Sequence, residues 1–132
     1  MKEVFIETKL QNKGHYVPGM ISGRTLYISG QLPVHHETGA PMAETIEEQT
    51  KDALHNVELV LKAAGCTKDD VVLCRVYIPD VCHWDAVNAV YGAFFGRISP
   101  PALLSRRGSF TTGLWWKLKP SPSCTNNKEG QP

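Results

Sequence analysis

Between Ile46 and Ala64, the apolar side chains Ile46, Ala53, Leu54, Val57, Val60, Leu61 and Ala64 fall at helical spacing. They form one buried stripe, and polar residues fill the opposite face. Thr45 and Glu48 stand before the stripe as a T-x-x-E capping box, and Gly65 follows it as a left-handed stop. A second helical stripe runs from Cys82 to Phe95 and buries Trp84, Val87, Tyr91 and Phe94, with Gly96 as its stop. Elsewhere the pattern alternates. "EVFIETKL" predicts a short strand near the start, and "MISGRTLYISGQLPV" predicts a hairpin turning at Ser22-Gly23. "VVLCRVYI" predicts a strand over Val71–Ile78, with Arg75 and Tyr77 opposite Cys74 and Val76. Pro79-Asp80 breaks it. Strand, hairpin, helix, strand, helix describes an α+β layer, with two helices on one face of a mainly antiparallel sheet. Such a sheet calls for further strands after the second helix, and the pattern shows none.

The closing stretch "GSFTTGLWWKLKPSPSCTNNKEGQP" has no long apolar face. Within it "LWWKLK" alternates and fits a lysine-guarded edge strand, while the composition fits disorder equally well. The chain therefore divides into a domain over residues 1–102 and an atypical tail over 103–132.

At 132 residues the chain holds one core, and 42% apolar with 20% charged residues is ordinary for a globular protein. No run reaches the roughly 20 apolar residues that span a bilayer, and "MKEVFIETKL" lacks a signal-peptide core. A cytoplasmic protein off the membrane is the expectation. Cys66, Cys74, Cys82 and Cys124 form no C-x-x-C pair and are read as small apolar residues rather than as a disulfide framework. The net charge of +1 hides an asymmetry: residues 1–102 carry nine basic and twelve acidic side chains, a balance of −3. That balance argues against nucleic acid as a partner, because phosphate binding needs clustered positive charge.

The chemistry-bearing motifs are sparse. There is no phosphate loop, no G-x-S-x-G elbow and no metal-ligand spacing. His35-His36 are adjacent in a loop, where solvation is a better account than metal binding. Cys82-His83 at a helix start fits burial better than an activated thiolate. Tyr16 in "GHYVPG" offers a loop hydroxyl that could orient a ligand or simply cover the sheet edge. Ser29-Gly30-Gln31 ends a strand, and glycine there permits close approach of a ligand or another backbone. Asn88 can cap or bond inward from the second helix.

Taken together, "GHYVPG", "LYISGQLPV…ETG", "IEEQTKDALHNVELVLKAAG", "DDVVLCRVYIPDV", "WDAVNAVYGAFFG" and "PPA" resemble the RidA (YjgF) family in order and spacing, over about residues 3 to 102. The resemblance implies a chorismate-mutase-like α+β fold and a cytosolic homotrimer with clefts between subunits. It further implies hydrolysis of enamine and imine acids, such as 2-aminoacrylate and 2-iminopropanoate, to 2-oxo acids and ammonia without a cofactor or metal. Tyr16 would then orient the substrate, Ser29, Gly30 and Gln31 would line the cleft, and Asn88 and Tyr91 would support its wall. The family also places an arginine directly after "PPA", where a guanidinium fork can hold the substrate carboxylate, and a glutamate in a late "EIEA" strand. Here Leu103 stands in the arginine's place and "EIEA" is absent.

The genetic code accounts for that departure. With free choice of synonymous codons, Leu104 to Ser123 read one nucleotide earlier permits "VVPSRELHYGALVEIEAIAV", a RidA-like ending. Loss of one G from CGT GTT, arginine and valine, yields Leu103 and the start of Leu104. The tail reads as out-of-frame translation after a single-base deletion. A chain so altered is expected to be weakly stable and nearly inactive as a deaminase. Two other readings remain beside the enzyme: a trimer that binds small carboxylates without turnover, and a protein acting on RNA.

Overall fold

The computed structural model describes residues 1–11, 14–78 and 80–96, and the backbone of 102–106. Three strands open the chain: β1 (Lys2–Val4), β2 (Gly19–Ser22) and β3 (Thr25–Ile28). They pair antiparallel in the order β1-β2-β3, with Val4 beside Gly19 and Gly19 beside Ile28. Ser22 pairs with Thr25, so the hairpin turns through Gly23-Arg24, and Gly23 supplies the positive φ of 60° that this tight turn uses. The first strand is shorter than "EVFIETKL" suggests, because the alternation continues past the residues that find a partner.

Helix α1 (Ile46–Ala63) follows its predicted stripe closely. Ile46, Ala53, Leu54, Val57, Val60 and Leu61 are all buried, and the Thr45 side chain accepts a hydrogen bond from the Glu48 backbone N–H at 3.3 Å. The chain leaves the helix through Gly65 at φ 77°. The helix lies close on the sheet at Gly19: a Cβ there would stand 2.9 Å from Val60 Cγ1 and 3.3 Å from the Val4 Cβ.

Three expectations change. β4 spans only Cys74–Ile78; a 3₁₀ turn occupies Lys68–Asp70, and Val71–Leu73 lead into the strand without pairing. Helix α2 (Trp84–Phe95) starts after a separate 3₁₀ turn over Val81–His83, capped by the Asp80 carboxylate. Val87 and Tyr91 are buried as expected, Phe95 joins them, Phe94 packs partly buried against the core, and Trp84 stays 38% exposed at the helix start. A strand also follows α2: β5 (Ala102–Arg106) pairs parallel with β4, setting Cys74 beside Ala102 and Arg75 beside Leu103. Its run "ALLSR" is too short and too polar at its end for periodicity to mark. The strand crosses the boundary drawn at residue 102, and the tail from 107 onward lies outside the described residues.

One apolar cluster joins these parts. Val4 and Ile28 from the first sheet meet Leu54, Val57 and Val60 of α1, Cys74, Val76 and Ile78 of β4, and Val87, Tyr91 and Phe95 of α2. Cys74 is a free, buried member of this core and Cys66 is free at its margin, as expected of small apolar residues; Cys82, in contrast, is disulfide-bonded.

Candidate functional site

A cleft of about 510 Å³ opens where the segment before β2 meets the segment after β3. Strand pairing brings these two together. Beyond Ile28 the ladder continues, with the Ser29 N–H donating to Pro18 O at 2.9 Å and the Ser29 hydroxyl donating to Val17 O. Tyr16 therefore stands near Gly30 and Gln31, and all three line the cleft. The Tyr16 ring lies over Gly14, where a Cβ would run into it, and the side chain is 56% exposed. Gln31 is buried, and its side-chain amide donates to Ser29 O at 3.0 Å.

Apart from His36, the remaining walls are residues that the sequence did not mark. Phe5, Ile6, Leu10, Leu32 and Val34 give apolar surface, and Thr8, Gln11 and His36 add polar groups. A few polar groups converging on an apolar hollow make a small-molecule site. No lysine, arginine, aspartate or glutamate is among the described lining residues.

The wall formed by residues 30–36 is tied down from several sides. Buried Asn56 on α1 donates through Nδ2 to both Leu32 O at 2.9 Å and Val34 O at 2.8 Å. His36 Nδ1 and Thr8 Oγ1 are hydrogen-bonded at 2.7 Å, and the Lys9 N–H donates to His36 O at 2.8 Å. His35 Nε2 meets the Asp52 carboxylate at 2.8 Å, and His55 Nε2 meets Glu37 at 2.9 Å. Adjacent loop histidines are thus clasps rather than solvated bystanders. Burial opposes the charged form of His35, but the Ala40 carbonyl and Asp52 outweigh it and hold its pKa above the ordinary value. Burial, with His55 nearby, holds His36 below it. Among the described residues no group of three or more His, Cys, Asp or Glu could hold a metal ion.

Asn88 and Tyr91 lie elsewhere. Asn88 is exposed on α2, while Tyr91 is buried in the core and hydrogen-bonded to Cys74. Burial pushes the Cys74 thiol up to about 12, so it is a packing residue and no thiolate nucleophile. A second hollow of about 520 Å³ lies between the helices, lined by Leu54, Ala89, Val90, Ala93 and Phe94 with Lys51, His55 and Glu58. Most of its surface is apolar, and no asparagine or glutamine is among its described lining residues.

The family model described as Endoribonuclease L-PSP matches residues 6–105. A RutC family protein of Saccharolobus solfataricus is 41% identical over 103 residues, covering 77% of this chain and 81% of that protein. The chain belongs to the RidA/YjgF family. Within it, the 2-iminobutanoate/2-iminopropanoate deaminase of Salmonella typhimurium is 40% identical over 82 residues, 62% of this chain and 63% of that enzyme. The crystal structure of the YjgF gene product from E. coli superposes with a TM-score of 0.71 at 28% identity, covering 86% of this chain and 92% of that one. The RidA fold is therefore present as an α+β domain. Among the described residues, no helix is long and apolar enough to cross a membrane.

Proposed function

We propose that the chain's cleft receives small 2-imino or 2-enamino acids, and that the ancestral reaction is their hydrolysis to 2-oxo acids and ammonia. The 40% identity over 82 residues to a named imine deaminase, beside a cleft of small-molecule size, supports this reading. In the reaction, water oxygen adds to the electrophilic imine carbon. The carbon–nitrogen bond then breaks, and nitrogen leaves as ammonia with the protons of that water. 2-Aminoacrylate enters after tautomerising to 2-iminopropanoate. Tyr16 orients the substrate, and Ser29, Gly30 and Gln31 shape the wall beside it. We further propose a cytoplasmic homotrimer with clefts completed between copies. Exposed Asn88 can then face a neighbouring copy, while Tyr91 stays in the core, packed with Cys74.

Leu103 favours a second reading for this sequence: binding with little turnover. Leucine cannot supply the two charge-assisted bonds to a carboxylate, each worth about 1.5–3 kcal/mol, and their loss corresponds to at least about a hundredfold in rate. The RNA reading has less behind it, since residues 1–102 carry a balance of −3. The deciding experiment is ammonia release from 2-aminoacrylate by this chain beside one ending in the restored frame. We expect the restored chain to be at least about a hundredfold faster. Equal rates would remove the out-of-frame reading, and silence from both would remove the deaminase reading.

A further inference from the structure

β4 carries a cation that none of the described residues neutralises. Cys74, Val76 and Ile78 point into the core with 0%, 1% and 3% exposure, so strand alternation sets Arg75 on the other face. Its Nε is buried without a hydrogen-bond partner, alone in that respect among the described side-chain nitrogens and oxygens. The ion pairs among described residues are His35–Asp52, His55–Glu37 and Lys62–Glu58, and none includes Arg75. Arginine side chains do not shed their charge by titrating, and a buried donor left unpaired costs its full desolvation. Something anionic is the natural complement.

We propose that Arg75 binds the carboxylate of a small 2-oxo or 2-imino acid through the guanidinium edge that includes Nε. That edge presents two parallel N–H groups and matches the two oxygens of a carboxylate. Placement agrees with chemistry. The parallel register sets Arg75 directly beside position 103, where leucine offers no charge. The described lining of the Tyr16 cleft holds no lysine or arginine, so none of those residues supplies a charged grip on an acid. The inference rests on the reading above for the ligand's identity and separates binding, which Arg75 supplies, from turnover.

The test uses the full chain with 2-oxobutanoate as probe, and 2-butanone and sodium chloride as neutral and ionic controls, by calorimetry and thermal shift. We expect 2-oxobutanoate to bind and raise the melting temperature, and the controls to do neither. Arg75→Met should weaken binding at least about tenfold and melt no lower than the parent without ligand, because an unpaired buried charge has been removed. Arg75→Lys should keep the charge but lose the fork, and bind between the two. Unchanged binding in both variants overturns the proposal, as does a parent chain that binds no 2-oxobutanoate. So does an Arg75→Met chain that melts several degrees lower without ligand, which would mean that the guanidinium already pairs with a carboxylate of the chain. Binding through Arg75 without ammonia release leaves this assignment and removes the deaminase activity. Ammonia release with a KM unchanged by Arg75→Met does the reverse.

Discussion

His35 and His36 are neighbours in sequence with opposite electrostatic fates. His35 gains a carboxylate, Asp52, and its pKa rises; His36 loses solvent beside His55, and its pKa falls. The signs follow from linkage. A raised folded-state pKa gives stability that is present below the unfolded value of about 6.5 and is lost as pH rises through the folded value. A lowered one, as at His36 and at His83, gives stability present above that value and lost as pH falls. Comparison with Asp52→Asn isolates the first effect. The parent should be more stable than this variant by less than about 1 kcal/mol near pH 5.5, and the gap should shrink above about pH 7. Denaturant melts at both pH values check it, and a gap that widens with pH would contradict the pairing. Neither partner could be named from sequence, because Asp52 sits seventeen positions away on a helix face that periodicity assigns only to solvent.

At the scale of elements, α1 does more than bury a stripe. Its apolar positions were legible because a period of about 3.6 leaves a trace in sequence. Asn56 left no such trace: a polar residue inside an apolar stripe looks like an interruption until the carbonyls of Leu32 and Val34 are seen above it. Asn56→Leu should cost about 1–3 kcal/mol, since two part-buried carbonyls lose their donor. Hydrogen exchange should quicken across residues 30–36 before the rest of the domain, and uniform quickening would show that Asn56 acts on the core alone. Gly19→Ala tests the sheet–helix contact separately. Its Cβ meets Val60 and Val4 at once, and the overpacking should lower stability by about 1–3 kcal/mol, read by thermal melting. On α2 the core face is wider than the predicted stripe: Phe95 is buried with Val87 and Tyr91, and Phe94 packs partly buried beside it, ring edge to face.

Among the described residues, Phe5, Tyr16, Tyr27 and Leu32 are large, exposed and carried on β3 or on the segments that follow β1, precede β2 and follow β3. Large apolar side chains exposed near one sheet suit contact with another chain, and the proposed trimer would cover them. Tyr27→Glu should then shift native mass spectra and light scattering from trimer toward monomer. A monomeric parent chain would remove the trimer from the proposal. A trimer unaffected by the charge would place the contact elsewhere.

Composition, periodicity and turn chemistry by themselves determined an α+β domain with two helices, a hairpin and a core built on α1. These depend on neighbours within a few residues, and local spacing records them. The motifs in order determined the family as well. Tertiary structure alone decided that β5 pairs parallel with β4, that Tyr16 meets Gly30 and Gln31 while Asn88 and Tyr91 lie apart, and that Arg75 stands beside position 103 with no counter-ion among the described residues. Each of those facts joins residues far apart in the chain. The free energy of such contacts belongs to the pair, and neither residue's local sequence carries it.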